Sequence, residues 1–304
     1  MRKFLDTKHG AVIAAVICNL LWGSAYPGIK IGYELFGITD SVSEKLLFAG
    51  LRFILAGIMV LAAAAVSGRR IPVMNKNNAG RIVITGLVYT ALQYVFFYIG
   101  LSNTTGTNGS IVNSSTTFMA LAAGYFFCGE KVGVKKLIGA LIGFAGVITV
   151  FVSDGISSVS FTGEGFILIA AACFVAGSML SKRAATDTDA MTVTGYNLLI
   201  GGAVLAAAGF IGGGMLGNVS MSGIAVLVYL AFLSAAAFTL WTMLLKSHDV
   251  GSISVYNFII PVSGTILSAV FMREDIFSVK YLISLVLVCL GIVLVNHGSE
   301  KTRS

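Results

Sequence analysis

Between Arg81 and Glu130, and again between Asp189 and Lys246, the chain carries no Asp, Glu, Lys or Arg. Each gap is long enough for two apolar runs with a Gly/Ser/Asn-rich turn between them, a pattern no water-soluble core produces. A run of roughly 20 apolar residues crosses a hydrocarbon core of about 30 Å. Ten such runs are legible, near 11–31, 46–66, 82–101, 107–127, 137–153, 165–181, 191–210, 223–244, 253–272 and 281–296. With 57% hydrophobic residues and a mean hydropathy of +0.92, little chain remains for a soluble domain. The runs do not alternate apolar with polar, so they read as helices rather than barrel strands. The expected fold is an all-α polytopic membrane protein with ten transmembrane helices.

The basic residues set the expected orientation. If the amino terminus is cytoplasmic, fifteen of the twenty Lys and Arg fall at inner ends and loops, and only Lys30, Lys45, Arg52, Arg273 and Lys280 fall in the outer half. That bias predicts both termini inside. Topology and anionic lipid then account for the net charge of +7, with no nucleic-acid partner needed. The first run is long enough to span and lacks a small-x-small cleavage site, so it reads as a retained signal anchor. Cys18, Cys128, Cys173 and Cys289 form no CxxC pair and read as reduced packing residues.

A register shift of 144 lays Asn113 on Asn257, Thr117 on Pro261, Ala120 on Gly264, Gly124 on Ser268 and Glu130 on Glu274. The members of each set share one helical face. Weaker echoes pair Tyr94 with Phe238 and Phe97 with Trp241. The chain therefore reads as a duplication, with five-helix copies at 10–153 and 165–297. Five is odd, so the second copy enters the membrane inverted. Inverted repeats are the architecture of carriers that hold substrate near the midplane where the copies meet.

At these residues the chain resembles the EamA-type members of the drug/metabolite transporter superfamily. The resemblance rests on Trp22 and Gly23, on Arg52 in LRFILAG, on Glu130 in FFCGEKVGVKKLIGALIGFAG, and on the sixth-span run AAACFVAGSMLSKR. Pro261 and Glu274 in FMREDIFSVKYLISLVLVCLG complete it. It implies a bacterial inner-membrane carrier of ten helices, both termini inside, with a central cavity between halves and frequent export of amino acids or other small metabolites. One departure stands out: the fourth-span proline common in the family is replaced by Ser115, Thr116 and Thr117, whose hydroxyls offer a polar wall instead of a proline kink.

Few residues can carry chemistry inside the spans. Pro27 and Pro261 are hinge candidates, because a helix-interior proline frees the carbonyl four residues earlier, here Gly23 and Asn257. Trp22, Tyr26, Tyr89, Gln93, Asn113, Thr116, Thr117, Trp241 and Asn257 are the candidate substrate contacts, an aromatic wall with a few amides and hydroxyls. Arg52 is the one cation well inside a span and must snorkel, bond carbonyls or pair. Every acid is terminal or in a loop, so no carboxylate relay, sodium site, metal site or cofactor is expected. Glu130 and Glu274 stand at helix ends as gating or structural charges, with Lys131, Lys135 and Arg273 as the plain partners. Gly139 and Gly143 form a GxxxG contact, either with a helix of the same copy or with a second protomer of a homodimer. The absence of HExxH, GxSxG or paired intramembrane acids argues against an enzyme. The resulting reading is a secondary transporter working by alternating access and exporting a small neutral or zwitterionic metabolite. A passive channel or a non-transporting receptor is the rival class, and counterflow discriminates them.

Overall fold

The computed structural model describes residues 2–39, 41–67, 76–104, 109, 112–151, 160–272 and 279–300. Among them there are no strands. After a single turn at Arg2–Leu5, ten helical rods follow. They are α1 (Lys8–Phe36), α2 (Val42–Val66), α3 (Lys76–Thr85 continuing through a π segment Gly86–Leu92 into Gln93–Ser102), α4 (Thr116–Cys128) and α5 (Val134–Phe151). Then come α6 (a π turn Phe161–Gly165 leading into Phe166–Asp187), α7 (Ala190–Ile211) and α8 (Met221–Ser247). The last two are α9 (Val250–Ser254, a 3-10 turn Val255–Phe258, then Ile259–Met272) and α10 (Val279–Glu300).

Local signals explain the ends. Thr7, Ser41, Ser160, Asp189 and Ser220 cap helix N-termini by accepting from backbone N–H groups of Gly10, Glu44, Gly163, Met191 and Gly223. Gly37 and Gly129 close α1 and α4 at φ 65°, a conformation only glycine adopts without cost.

Six rods are long and apolar enough to cross a hydrocarbon core, spanning His9–Phe36, Val42–Val66, Asn78–Ser102, Phe161–Asp187, Ala190–Ile211 and Met221–Ser247. Thr116–Cys128, Val250–Gly264 and Leu282–Val295 are shorter apolar helices. Large apolar side chains such as Phe126, Phe127, Phe210, Ile211 and Phe271 stand exposed on the outside, which water would not tolerate over such an area and lipid does. The protein is a multi-pass helical membrane protein.

The helices pair in a reciprocal pattern: α2 lies along α7 and α5 along α10, while α1 packs on α8 and α9 and α6 packs on α3 and α4. Glycines permit the closest pairings. A β-carbon at Gly202 would meet the Ile54 nitrogen at 2.7 Å, and one at Gly57 would meet the Gly195 carbonyl at 2.7 Å, so α2 and α7 touch backbone to backbone. The Gly139/Gly143 motif finds a partner that neither sequence alternative offered. A β-carbon at Gly139 would lie 2.7 Å from the Gly291 carbonyl of α10, and one at Gly143 would lie 2.5 Å from the Phe258 ring of α9. The seam is thus filled within the chain, between its first and second halves. Glu274 and Arg273, with residues 105–108 and 152–159, lie outside the described residues.

Candidate functional site

A cavity of about 540 Å³ lies among α1, α2, α3, α4, α6, α8 and α9. Its floor is aromatic. Trp22 of α1 meets Phe238 of α8 and Trp241 at centroid distances of 5.3 Å each, and Phe174 of α6 at 5.9 Å. Edge-to-face contacts of this kind fix the ring orientations beyond what apolar burial alone does. Tyr26, Tyr94, Phe97 and Tyr98 continue the wall, and the cavity extends past Tyr33 to Thr39, Lys30 and Lys45 at the α1–α2 turn.

Of the sequence candidates, Trp22, Tyr26, Gln93, Asn113, Thr116 and Asn257 line this cavity, with Pro261 and Arg52. Polar atoms of that lining that are buried without a hydrogen-bond partner among the described residues include Trp22 Nε1, Gln93 Oε1 and Asn257 Oδ1. An unmet buried polar group costs about 1–3 kcal/mol. All three belong to residues that line the cavity, and each calls for a partner, water or ligand, that the described residues do not supply.

Tyr89, Thr117 and Trp241 stand behind the wall. Trp241 Nε1 donates to Ser178 Oγ at 3.3 Å, and Ser178 Oγ donates to the Tyr89 hydroxyl at 3.3 Å, so both rings are spent on a buried polar link to α6. Thr117 Oγ1 donates to the Ser254 carbonyl at 3.0 Å and ties α4 to α9. The π segment Gly86–Leu92 explains Tyr89. Its wider turn places one extra residue in the helix, rotating Tyr89 away from the Gln93–Phe97 stripe to which an ideal helix assigns it. Phe174 is a wall residue that the sequence reading did not select. In sequence it is one more apolar residue of the sixth run, one turn before Ser178.

The matched breaks in α4 and α9 have different chemistry. In α9 the 3-10 turn Val255–Phe258 precedes Pro261. Ahead of α4, where proline is missing, Ser115 N donates to Val112 O at 3.0 Å and Thr117 N to Ser114 O at 3.3 Å, which is the same tight i→i+3 winding. Thr116 Oγ1 donates to the Asn113 carbonyl at 2.5 Å. A hydroxyl therefore holds the break in the first half. In α1 the chain stays helical through Pro27, and neighbouring Gly23 lets α9 approach so closely that a β-carbon there would sit 2.0 Å from Ser263 Oγ.

Arg52 is 2% exposed. Its Nε donates to Ser234 Oγ at 2.8 Å and to the Leu230 carbonyl at 3.3 Å, both on α8. Carbonyl bonding was one of the expected solutions. The guanidinium lies 5.0 Å from the Phe53 ring centroid.

At the end of the bundle away from Lys30 and Lys45 the helices are tied together. Glu130 accepts from Val250 N at 2.7 Å and Gly251 N at 3.0 Å, and pairs with Lys182 at 3.5 Å. The partner is thus Lys182 rather than the adjacent Lys131 or Lys135, because the αL glycine Gly129 turns the chain back over the end of α4 toward α9. Lys182 also donates to the His248 carbonyl at 2.9 Å, and Lys136 pairs with Asp249 at 3.6 Å. His248 Nε2 meets the Leu5 carbonyl at 2.8 Å, and Ser247 Oγ donates to Asp6 at 2.6 Å, bringing in the amino-terminal turn. The four cysteines are free.

The chain matches the EamA-like transporter family over residues 9–152 and 161–297, and it belongs to that family. It is 24% identical to the uncharacterized transporter YvbV of Bacillus subtilis (strain 168), across 100% of this chain and 96% of that one. It is 27% identical to the uncharacterized inner membrane transporter YedA of Escherichia coli (strain K12), covering 95% and 90% of the two chains. A solved crystal structure superimposes with a TM-score of 0.80 at 19% identity, over 98% of this chain and 100% of the other, and so shares the fold. The protein is a membrane transporter, not an enzyme.

Proposed function

We propose that the protein is a secondary carrier of a bacterial inner membrane that exports a small neutral or zwitterionic metabolite by alternating access. In this reading residues 10–153 and 165–297 are two inverted five-helix halves with both termini cytoplasmic. The reciprocal pairings support it: α1 with α8 and α9 corresponds to α6 with α3 and α4 under exchange of the halves, while α2–α7 and α5–α10 map onto themselves.

The observation that carries the proposal is the one-sided cavity. Both halves wall it, it reaches the α1–α2 turn at one end, and at the other the Glu130, Lys182 and Asp249 contacts close the bundle. A passive channel would need a path through both ends, so the shape favours a carrier caught with one side shut. The Lys and Arg bias assigns the shut end to the cytoplasm, and rocking the halves would exchange the open and shut ends about the midplane site. Counterflow in proteoliposomes tests this: preloading with a transported metabolite should accelerate uptake of the labelled one. Flux that never saturates and shows no trans-acceleration would replace the carrier by a channel.

A further inference from the structure

Resting on the carrier reading, we propose that this cavity selects a carboxylate attached to an apolar or aromatic body, and that Arg52 is the residue that binds the carboxylate. The charged side chains lining the cavity are Lys30, Lys45 and Arg52, and among the described residues no Asp or Glu lines it. Lys30 and Lys45 stand at the mouth, where the Glu44 carboxylate accepts from Thr39 of the lining, so the charge that bears on a ligand is that of Arg52, which in a low-dielectric surround favours an anion and penalises a cation.

Arg52 supplies the specific contact. Its single Nε is already committed to Ser234 and Leu230, which fixes the plane of the guanidinium. Among the described residues its two terminal nitrogens make no hydrogen bond, although the side chain is 2% exposed and borders the cavity. A buried guanidinium without an acid is costly. A planar fork held by Nε, with both outer nitrogens left over, is the geometry that takes a carboxylate through two parallel bonds.

The rest of the cavity matches the remainder of such a molecule. Trp22, Phe174 and Phe238 offer an aromatic floor for the body. The unpartnered Gln93 Oε1 and Asn257 Oδ1 accept N–H donors where the substrate has them. They are neutral dipoles and cannot replace a carboxylate as counter-charge, so a cation lacking its own acid is disfavoured.

A matched probe series tests the charge without any substitution. 3-Phenylpropanoate, 3-phenylpropanamide and 3-phenylpropylamine share one body and differ in one group. Binding to the purified full-length protein is read by quenching of its two tryptophans, of which Trp22 borders the cavity and Trp241 touches it, and by thermal shift. The carboxylate should bind roughly ten- to a hundredfold more tightly than the amide, the range that hydrogen bonds to a charged group supply, and the amine more weakly still. Arg52→Gln should erase the preference for carboxylate over amide, and Arg52→Lys should retain part of it, because the charge remains while the fork is lost. Equal affinity for all three probes, tighter binding of the amine, or no response to any probe at millimolar concentration in the wild-type protein overturns the proposal. Counterflow separates this failure from failure of the carrier reading: trans-acceleration by the amine or the amide with none by the carboxylate would keep the carrier and discard the charge selection.

Discussion

Asn257 lines the cavity and its amide oxygen is buried with no partner among the described residues, and that fact sets the sign of its substitution. Replacing a buried unsatisfied polar group by a shape-matched apolar one is neutral or stabilising for the fold. Asn257→Leu is therefore expected to leave the apparent melting temperature unchanged or raised while substrate affinity falls by about 1–3 kcal/mol, or roughly 5- to 150-fold. Counterflow and thermal unfolding on the same preparation check both halves of the statement. Asn113→Leu should cost less transport, since its side chain shares the wall with Thr116. A second residue-scale expectation concerns Phe174. Removing its ring in Phe174→Ala takes away contacts to Trp22, Tyr89 and Trp241, at about 3–5 kcal/mol where the space stays empty. Phe174→Leu should recover most of the stability, and the difference in melting temperature between the two variants measures it.

At the scale of the helix, two contacts decide whether the rods hold together and whether they move. The α2–α7 seam is backbone on backbone, and a Val at position 202 would drive its β-carbon within 2.7 Å of Ile54 N and 2.9 Å of Gly50 O. Gly202→Val should cost at least about 1–3 kcal/mol through overpacking and lower the yield of monodisperse protein, whereas Gly80→Ala, where a β-carbon meets nothing within 4 Å, should not. The tie at the start of α9 is of the other kind, a set of polar contacts. Glu130 holds Val250 and Gly251 by their N–H groups and Lys182 by charge. Glu130→Gln keeps the shape and loses the charge, so the closed end should weaken by about 1–2 kcal/mol, a shift of roughly 5- to 30-fold toward the state open at that end. Faster maleimide labelling of Thr117→Cys, buried between α4 and α9, in the Glu130→Gln background is the expected readout, and an unchanged rate would make Glu130 a fixed structural cap.

For the whole molecule the exposed expectation is topology. If each half has five spans, as proposed, a cytoplasmic reporter should be active after Arg70, after Lys182 and at the carboxyl terminus, and inactive after Asp154 and Gly214. Activity after Asp154 would require an even number of spans in the first half and would remove the inversion on which the proposed alternating access depends. The reciprocal pairing of α1 with α8 and α9, and of α6 with α3 and α4, makes a second whole-molecule statement. If the halves rock about the cavity, the self-paired seams α2–α7 and α5–α10 should keep their contacts in both states while α1–α9 and α4–α6 contacts change. Disulfides engineered across the first pair of seams should then be tolerated in transport assays, and disulfides across the second should arrest it.

By itself the sequence determined the membrane-crossing class, the helical content and the matched placement of Asn113 and Asn257, because a charge-free run, a helical period and a register shift are each read directly from the chain, whereas the tight turn ahead of α4, where proline is missing, is not legible in it. It also placed six of the nine candidate contacts on the cavity wall, along with Arg52 and Pro261. What it could not decide was facing. Lipid tails and a packed interior are equally apolar, so a helix in this bundle carries no strong polar side to show which way it turns. The tertiary structure turned Tyr89 behind the wall through a π segment, committed Trp241 to Ser178, brought Phe174 forward, joined Glu130 to Lys182 and α9, and laid Gly139 on Gly291. Each of those outcomes depends on a neighbour more than fifty residues away in sequence or on the rotation of a whole rod, and only the packed bundle specifies either.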